Sequence, residues 1–175
     1  MNIMADEHKG MTKALSTALK MEKDGMTFYK EAGKKTKNPL GKKMFLSFVE
    51  DEKRHYDMIS ALAKGMNIDK ELKQAGSAER IRTIFEEAGK EMDTRLGSDL
   101  GDTEALRFAV SMEDKGYHFY QDSAVQAKDA GEKALFEKLA REESRHHEIL
   151  ENALNYLEKS GEWFLWEEGG PIEGG

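Results

Sequence analysis

Apolar residues recur every three to four positions over four long stretches of the chain, and nowhere do apolar and polar residues alternate for long. The first stretch runs from about Met11 to Lys35 and carries Leu15, Leu19, Met26 and Tyr29. Lys37-Asn38-Pro39 reads as a turn, with proline suited to the start of the next helix. The second stretch, about Leu40 to Lys64, carries Met44, Phe45, Phe48, Met58, Ile59 and Leu62, and Gly65 is a predicted C-cap. The third begins near Asp102-Thr103, a predicted N-cap, and includes Leu106, Ala109, Val110, Tyr117 and Tyr120. Lys128-Asp129-Ala130-Gly131 turns it into a fourth that ends near Ser160-Gly161. Pro39 and Pro171 are the only prolines, and the proline-free run between them favours long helices. The pattern predicts an all-α fold.

The connector at 66–101 is longer than the roughly 2–8 residues of an ordinary bundle loop. Ile81, Ile84, Phe85, Ala88 and Met92 predict a helix inside it, from near Ser77 to Gly97. The tail at 161–175 opens with Trp163-Phe164-Leu165-Trp166, aromatics predicted to dock on the bundle or on a second subunit. A single domain over 1–175 is expected, with helix pairs at about 11–64 and 102–160.

Composition narrows the chemistry. The chain of 175 residues has no cysteine, which excludes disulfides, thiolate zinc sites, iron–sulfur clusters and cysteine nucleophiles. Its 27 basic residues are scattered among 34 acidic ones, a net charge of −7 that argues against nucleic acid as a partner. No apolar run is long enough to cross a bilayer, and Met1 to Glu7 carries acids where a signal peptide would be apolar. A cytoplasmic protein is expected.

A shift of 91 residues superposes the two helix pairs. Met21-Glu22 falls on Met112-Glu113, Gly25 on Gly116, Phe28-Tyr29 on Phe119-Tyr120, Phe45 on Phe136, Glu52 on Glu143, and Arg54-His55 on Arg145-His146. Shared apolar periodicity alone does not require Glu, Gly, Tyr, Arg and His to coincide. Glu22 and Glu52 are 30 residues apart with Lys37, in the turn, at their midpoint; Glu113 and Glu143 are 30 apart around Lys128. In an antiparallel hairpin, residues equidistant from the turn share one level, here roughly 20 Å from it. His55 and His146 follow their glutamates by three positions, so each Glu–His pair shares a helix face.

Two such hairpins face to face would bring four carboxylates and two imidazoles to one level. One Glu from each of two helices and a Glu-x-x-His from each of the other two form the ligand set of dinuclear carboxylate sites in helical bundles. Four carboxylates balance two divalent cations, whereas four buried like charges without them would be forced to take up protons. Mixed oxygen and nitrogen donors suit iron or manganese. One Glu-x-x-His in a Glu-rich chain is weak; two in register, each with a glutamate 30 residues upstream, are a strong signal.

Asp51-Glu52-Lys53-Arg54-His55 and its echo Glu142-Glu143-Ser144-Arg145-His146 resemble the motifs of diiron-carboxylate proteins in the ferritin-like superfamily, closest to the rubrerythrin-like branch. The resemblance covers about 11–160, and the aromatic tail is similar to tails in that group. It implies a ferritin-like four-helix bundle of two repeated hairpins joined by a long helical crossover. Glu52 and Glu143 would bridge two iron ions, Glu22 and Glu113 would be terminal carboxylates, and His55 and His146 would each give one nitrogen. Asp51 and Glu142 would orient the histidines, unless they are solvated helix edges. Tyr29 and Tyr120 would hydrogen-bond near the metals or serve as core packing.

The chain departs from full-length rubrerythrins twice. It has no cysteine for a rubredoxin module, and Gly116 stands where they carry a further glutamate; Gly25 is its repeat partner. A glycine there would open space for O2 or peroxide, or permit close helix contact. The resemblance implies an oxidoreductase reducing hydrogen peroxide or O2 with electrons from a separate donor such as rubredoxin, in a homodimer. Alternatives are a non-enzymatic iron store, a manganese catalase-like enzyme, with manganese or mixed metal in the site, and a bundle without metal. His8, His118 and His147 are read as non-ligands.

Overall fold

The computed structural model describes residues 3–66, 101–162, 165–167 and 170–172, with side chains for 13–66 and 101–162. Among these are four helices: α1 (Ile3–Lys35), α2 (Pro39–Gly65), α3 (Asp102–Gln126) and α4 (Ala130–Ser160). A short antiparallel ribbon follows, β1 (Leu165–Glu167) paired with β2 (Gly170–Ile172). The predicted connector helix near Ser77–Gly97 lies outside the described residues, as do Trp163 and Phe164.

Helix boundaries follow local chemistry. Asn38 caps α2, its side chain accepting from the Leu40 and Gly41 N–H groups, and Pro39 fills the first helical position where no N–H is needed. Such a cap contributes about 1 kcal/mol. Asp129 caps α4 by accepting from the Glu132 N–H, and Gly161 ends it at φ 72°, a left-handed conformation that suits glycine. Three expectations at the ends are corrected. Helix α1 begins at Ile3, ahead of Met11, so its first turns run through Gly10 and the acidic start of the chain. The α3 cap is Gly101, not Asp102-Thr103; Asp102 and Glu104 sit inside the first turn, where carboxylates complement the helix dipole. Gly65 is the last residue of α2, and Met66 supplies the cap N–H.

Helices α1 and α2 pack as one hairpin and α3 and α4 as the other; the two meet through α1 with α3 and α2 with α4. Tyr29 reaches Glu113 while Tyr120 reaches Glu22, so α1 and α3 run antiparallel. Helix α3 therefore runs parallel to α2, and the chain between them must return the length of the bundle. That explains why the connector is long. Strand β1 runs against α4 and α2.

The core has two parts. Phe28, Tyr29, Phe45, Phe48, Leu106, Met112 and Leu150 fill one end, and Leu15, Ile59, Tyr120, Phe136 and Leu139 fill the other. A polar layer lies between them.

A candidate metal centre between the hairpins

The polar layer occupies positions that a plain bundle would fill with apolar side chains. On α2 the inward stripe reads Gly41, Phe45, Phe48, Glu52, His55, Ile59 and Ala63, and all seven are buried. The α4 stripe, Glu132, Phe136, Leu139, Glu143, His146, Leu150 and Ala153, has the same spacing of three and four. Glu22 lies on the buried stripe of α1 and Glu113 on that of α3. Glutamates and histidines are rarely buried without partners, yet these six are between 0% and 5% exposed.

The fold gathers the six into two groups, Glu22, Glu52, His55 and Glu143, and Glu52, Glu113, Glu143 and His146. Within each group one donor atom per residue lies within 4.8 Å of every other. Glu52 and Glu143 belong to both groups. Nδ1 of His55 is 3.4 Å from Glu22 and 3.3 Å from Glu143; Nδ1 of His146 is 3.5 Å from Glu113. Donors around one ion at about 2.0–2.2 Å stand roughly 3–3.5 Å apart. The spacing fits that arrangement better than direct hydrogen bonds.

Orphaned atoms make the same point. Among the described residues, seven buried side-chain atoms lack a hydrogen-bond partner. Six are Glu22 Oε2, Glu52 Oε1, His55 Nδ1, Glu113 Oε2, Glu143 Oε1 and His146 Nδ1, one from each of the six; the seventh is Thr36 Oγ1. An unpartnered buried polar atom costs about 1–3 kcal/mol, more when charged. Six around one point form a site with the donors, charge and spacing to hold two divalent cations.

The outer atoms of these residues are held from the opposite hairpin. Nε2 of His55 bonds Glu142 at 2.8 Å, and Nε2 of His146 lies 3.3 Å from Asp51. An imidazole that gives its Nε2–H to a carboxylate leaves the Nδ1 lone pair free for a cation. Asp51 and Glu142 are thus partners of the histidines, not solvated edges. Tyr29 donates to Glu113 and Tyr120 to Glu22, both fully buried. Each tyrosine also stacks on a core ring, Tyr29 on Phe45 and Tyr120 on Phe136. The hydrogen-bonding and packing roles are both real, and both bonds cross between hairpins. His118 is exposed beside Asp114 and His147 is half-buried; neither is in the cluster.

Electrostatics shows what the cluster does without cations. Burial and the neighbouring Glu22 and Glu143 push the Glu52 carboxyl well up; burial and Glu113 do the same to Glu143. Burial opposes charging His55, but Glu143, Glu22 and Glu52 outweigh it and hold its pKa far above the usual histidine value. Burial likewise opposes charge on His146, but Asp51 and Glu113 raise it to about 10. The layer thus balances its negative charge with protons. A bound cation replaces them.

The rubrerythrin family model matches residues 13–103 and 104–169, which together make up most of the chain. The chain belongs to the rubrerythrin family. The two matched segments begin 91 residues apart, the shift that superposes the helix pairs. A solved structure with the same fold is that of a two-domain protein from Anabaena variabilis containing DJ-1/ThiJ/PfpI-like and ferritin-like domains. It has a TM-score of 0.65 and 13% identity, over 94% of this chain and 40% of that one. The all-α, ferritin-like four-helix bundle is therefore the fold, and the chain spans less than half the length of that relative. Among curated proteins none matches the sequence significantly.

In this rubrerythrin-family chain, the two glycines sit beside the shared glutamates. A Cβ at Gly25 would lie 3.4 Å from the Glu52 carboxyl, and one at Gly116 would lie 3.0 Å from Glu143 Oε2. Each shared glutamate lies against a glycine of its own hairpin, tightly at Gly116 and at ordinary contact distance at Gly25. No described helix is long and apolar enough to cross a membrane.

Proposed function

We propose that the protein is a rubrerythrin-like diiron oxidoreductase that reduces hydrogen peroxide or O2 with electrons from a separate donor. The observation that carries this reading is the pair of four-donor groups sharing Glu52 and Glu143. Glu52 and Glu143 would each serve both ions, Glu22 with His55 would complete one position, and Glu113 with His146 the other. Bound iron would supply the one-electron redox steps; manganese fits the same donors. The residues around it hold geometry and protons. Asp51 and Glu142 fix the imidazole tautomers, and the buried tyrosine hydroxyls restrain the terminal glutamates through Glu113 Oε1 and Glu22 Oε1. The two apolar core ends above and below the layer limit water around it.

Reducing one H2O2 to two waters takes two electrons and two protons. The 175 residues hold no cysteine for an iron–sulfur centre; in this reading a second protein such as rubredoxin delivers the electrons, and the chain works as a homodimer in the cytoplasm. The test is anaerobic stopped-flow titration of the iron-loaded, reduced protein with peroxide. It should consume about one H2O2 per pair of irons and stop, then resume when reduced rubredoxin is added. Continued peroxide loss without a donor would make it catalase-like. Sustained iron uptake with growth of a mineral would make it a store.

A further inference from the structure

Arg54 bonds both acids that hold the histidines. Its Nη1 donates to Asp51 on its own helix, and its Nη2 donates to Glu142 on α4 at 2.8 Å. Asp51 lies against Nε2 of His146, and Glu142 against Nε2 of His55. The two imidazoles are themselves stacked, with centroids 5.5 Å apart and planes 17° from parallel. One guanidinium therefore closes a chain His146–Asp51–Arg54–Glu142–His55 across the two hairpins. A forked, planar cation can hold two carboxylates in fixed directions, which a lysine ammonium does not do. Lys138 Nζ also approaches Glu142, at 3.9 Å and beyond hydrogen-bonding range.

A plain surface ion pair would account for a half-exposed arginine, and such a pair contributes little to stability. It would not account for one side chain meeting both histidine partners. We infer that Arg54 is a positioning residue that ties the two histidines into one unit, so that both metal positions depend on a side chain that contacts neither. Asp51 and Glu142 each orient one imidazole; Arg54 orients both acids. This rests on the two-metal reading of the layer.

The probe is Co2+ alone, titrated into metal-free protein by calorimetry and by its visible absorption. Wild type should take up two equivalents; failure there would sink the two-metal reading itself. Arg54→Ala should weaken both binding events, each by about 10–100-fold, the effect typical of groups that orient metal ligands. Asp51→Asn should weaken only the event that depends on His146, and Glu142→Gln only the one that depends on His55, as assigned in His55→Ala and His146→Ala backgrounds. Arg54→Lys should recover binding in part, because an ammonium keeps the charge and loses the fork. Far-UV circular dichroism and the melting temperature of each metal-free variant separate lost positioning from lost fold, and Arg54→Gln replaces any variant that does not fold. If wild type binds two Co2+ and a folded Arg54 variant without the positive charge matches its affinities and spectrum, or weakens one event alone, the inference is wrong.

Discussion

The two halves of the layer have the same donors but different support. Around His55 the histidine is fully buried, and its outer nitrogen meets Glu142 at 2.8 Å. Around His146 the exposure is 5%, the outer carboxylate is the shorter Asp51, and the separation is 3.3 Å. The acid with one methylene fewer stands farther from its imidazole. The apolar neighbours differ as well. Phe48 packs its ring at 88° to His146 with centroids 4.8 Å apart, and stacks on Tyr29. The repeat equivalent of Phe48 is Leu139, which is buried but has no ring. The repeat thus keeps the donors while the surroundings differ. A shorter carboxylate–imidazole bond makes the ligand more basic, so the position beside His55 should be the tighter of two unequal sites.

The comparison breaks most completely at the shared residues. Glu52→Ala or Glu143→Ala should lose both ions, leaving well under one metal per chain after dialysis, measured by plasma emission spectrometry. Retention of two in either variant would remove the shared role. Next in size, His146→Ala should leave one tightly held ion, and His55→Ala one held more loosely. Calorimetric affinities in the reverse order would contradict the inequality of the halves.

Metal removal tests what the halves have in common. The metal-free protein should melt below the loaded form, because a ligand that binds only the folded state adds stability by mass action. The pH dependence has a definite sign. His146, raised to about 10 in the folded state, contributes stability that is fully present below its unfolded value near 6.5 and is lost as pH rises toward 10. Asp51, lowered to about 2 by His146 and Arg54 against its burial, contributes stability that is present above about 3.9 and lost as pH falls toward 2. The metal-free melting temperature should therefore fall on both sides, and the loaded form should resist the alkaline loss. A metal-free protein that gains stability from pH 7 to 10 would contradict this.

The smallest effect distinguishes the glycines. Gly25→Ala adds a methyl at ordinary contact distance and should be neutral or stabilising by up to about 1 kcal/mol, since alanine favours a helix. Gly116→Ala presses on Glu143 at 3.0 Å and should weaken metal binding a few-fold. Equal metal affinities in the two variants would show that Glu143 gives way freely.

The six ligand candidates were readable from the chain because helical spacing and the 91-residue repeat both act along one dimension. Equidistance from a turn converts directly into a shared level, and Glu-x-x-His into a shared face. What crosses between hairpins was not readable. That Tyr29 serves Glu113 and not its own Glu22, and that Asp51 serves His146 and not His55, depends on how two separate hairpins face each other. Periodicity within one helix contains no such information. The glycines were ambiguous because what a Cβ would meet there is a side chain on the other helix of the same hairpin, a contact that spacing along one helix does not reveal. At the ends, α1 extends through Gly10 and the acidic residues ahead of it, a reminder that propensity is a weak prior within a long helix.

The central claim is that Glu52 and Glu143 are shared by two metal positions, one beside each histidine. Anomalous diffraction from crystals of the protein loaded anaerobically with Fe2+ tests it directly. Two peaks should appear in the layer, both touching Glu52 and Glu143, one also touching Glu22 and His55 and the other Glu113 and His146. A single peak held by one hairpin, or iron bound elsewhere with the six side chains bonded to one another, would contradict it.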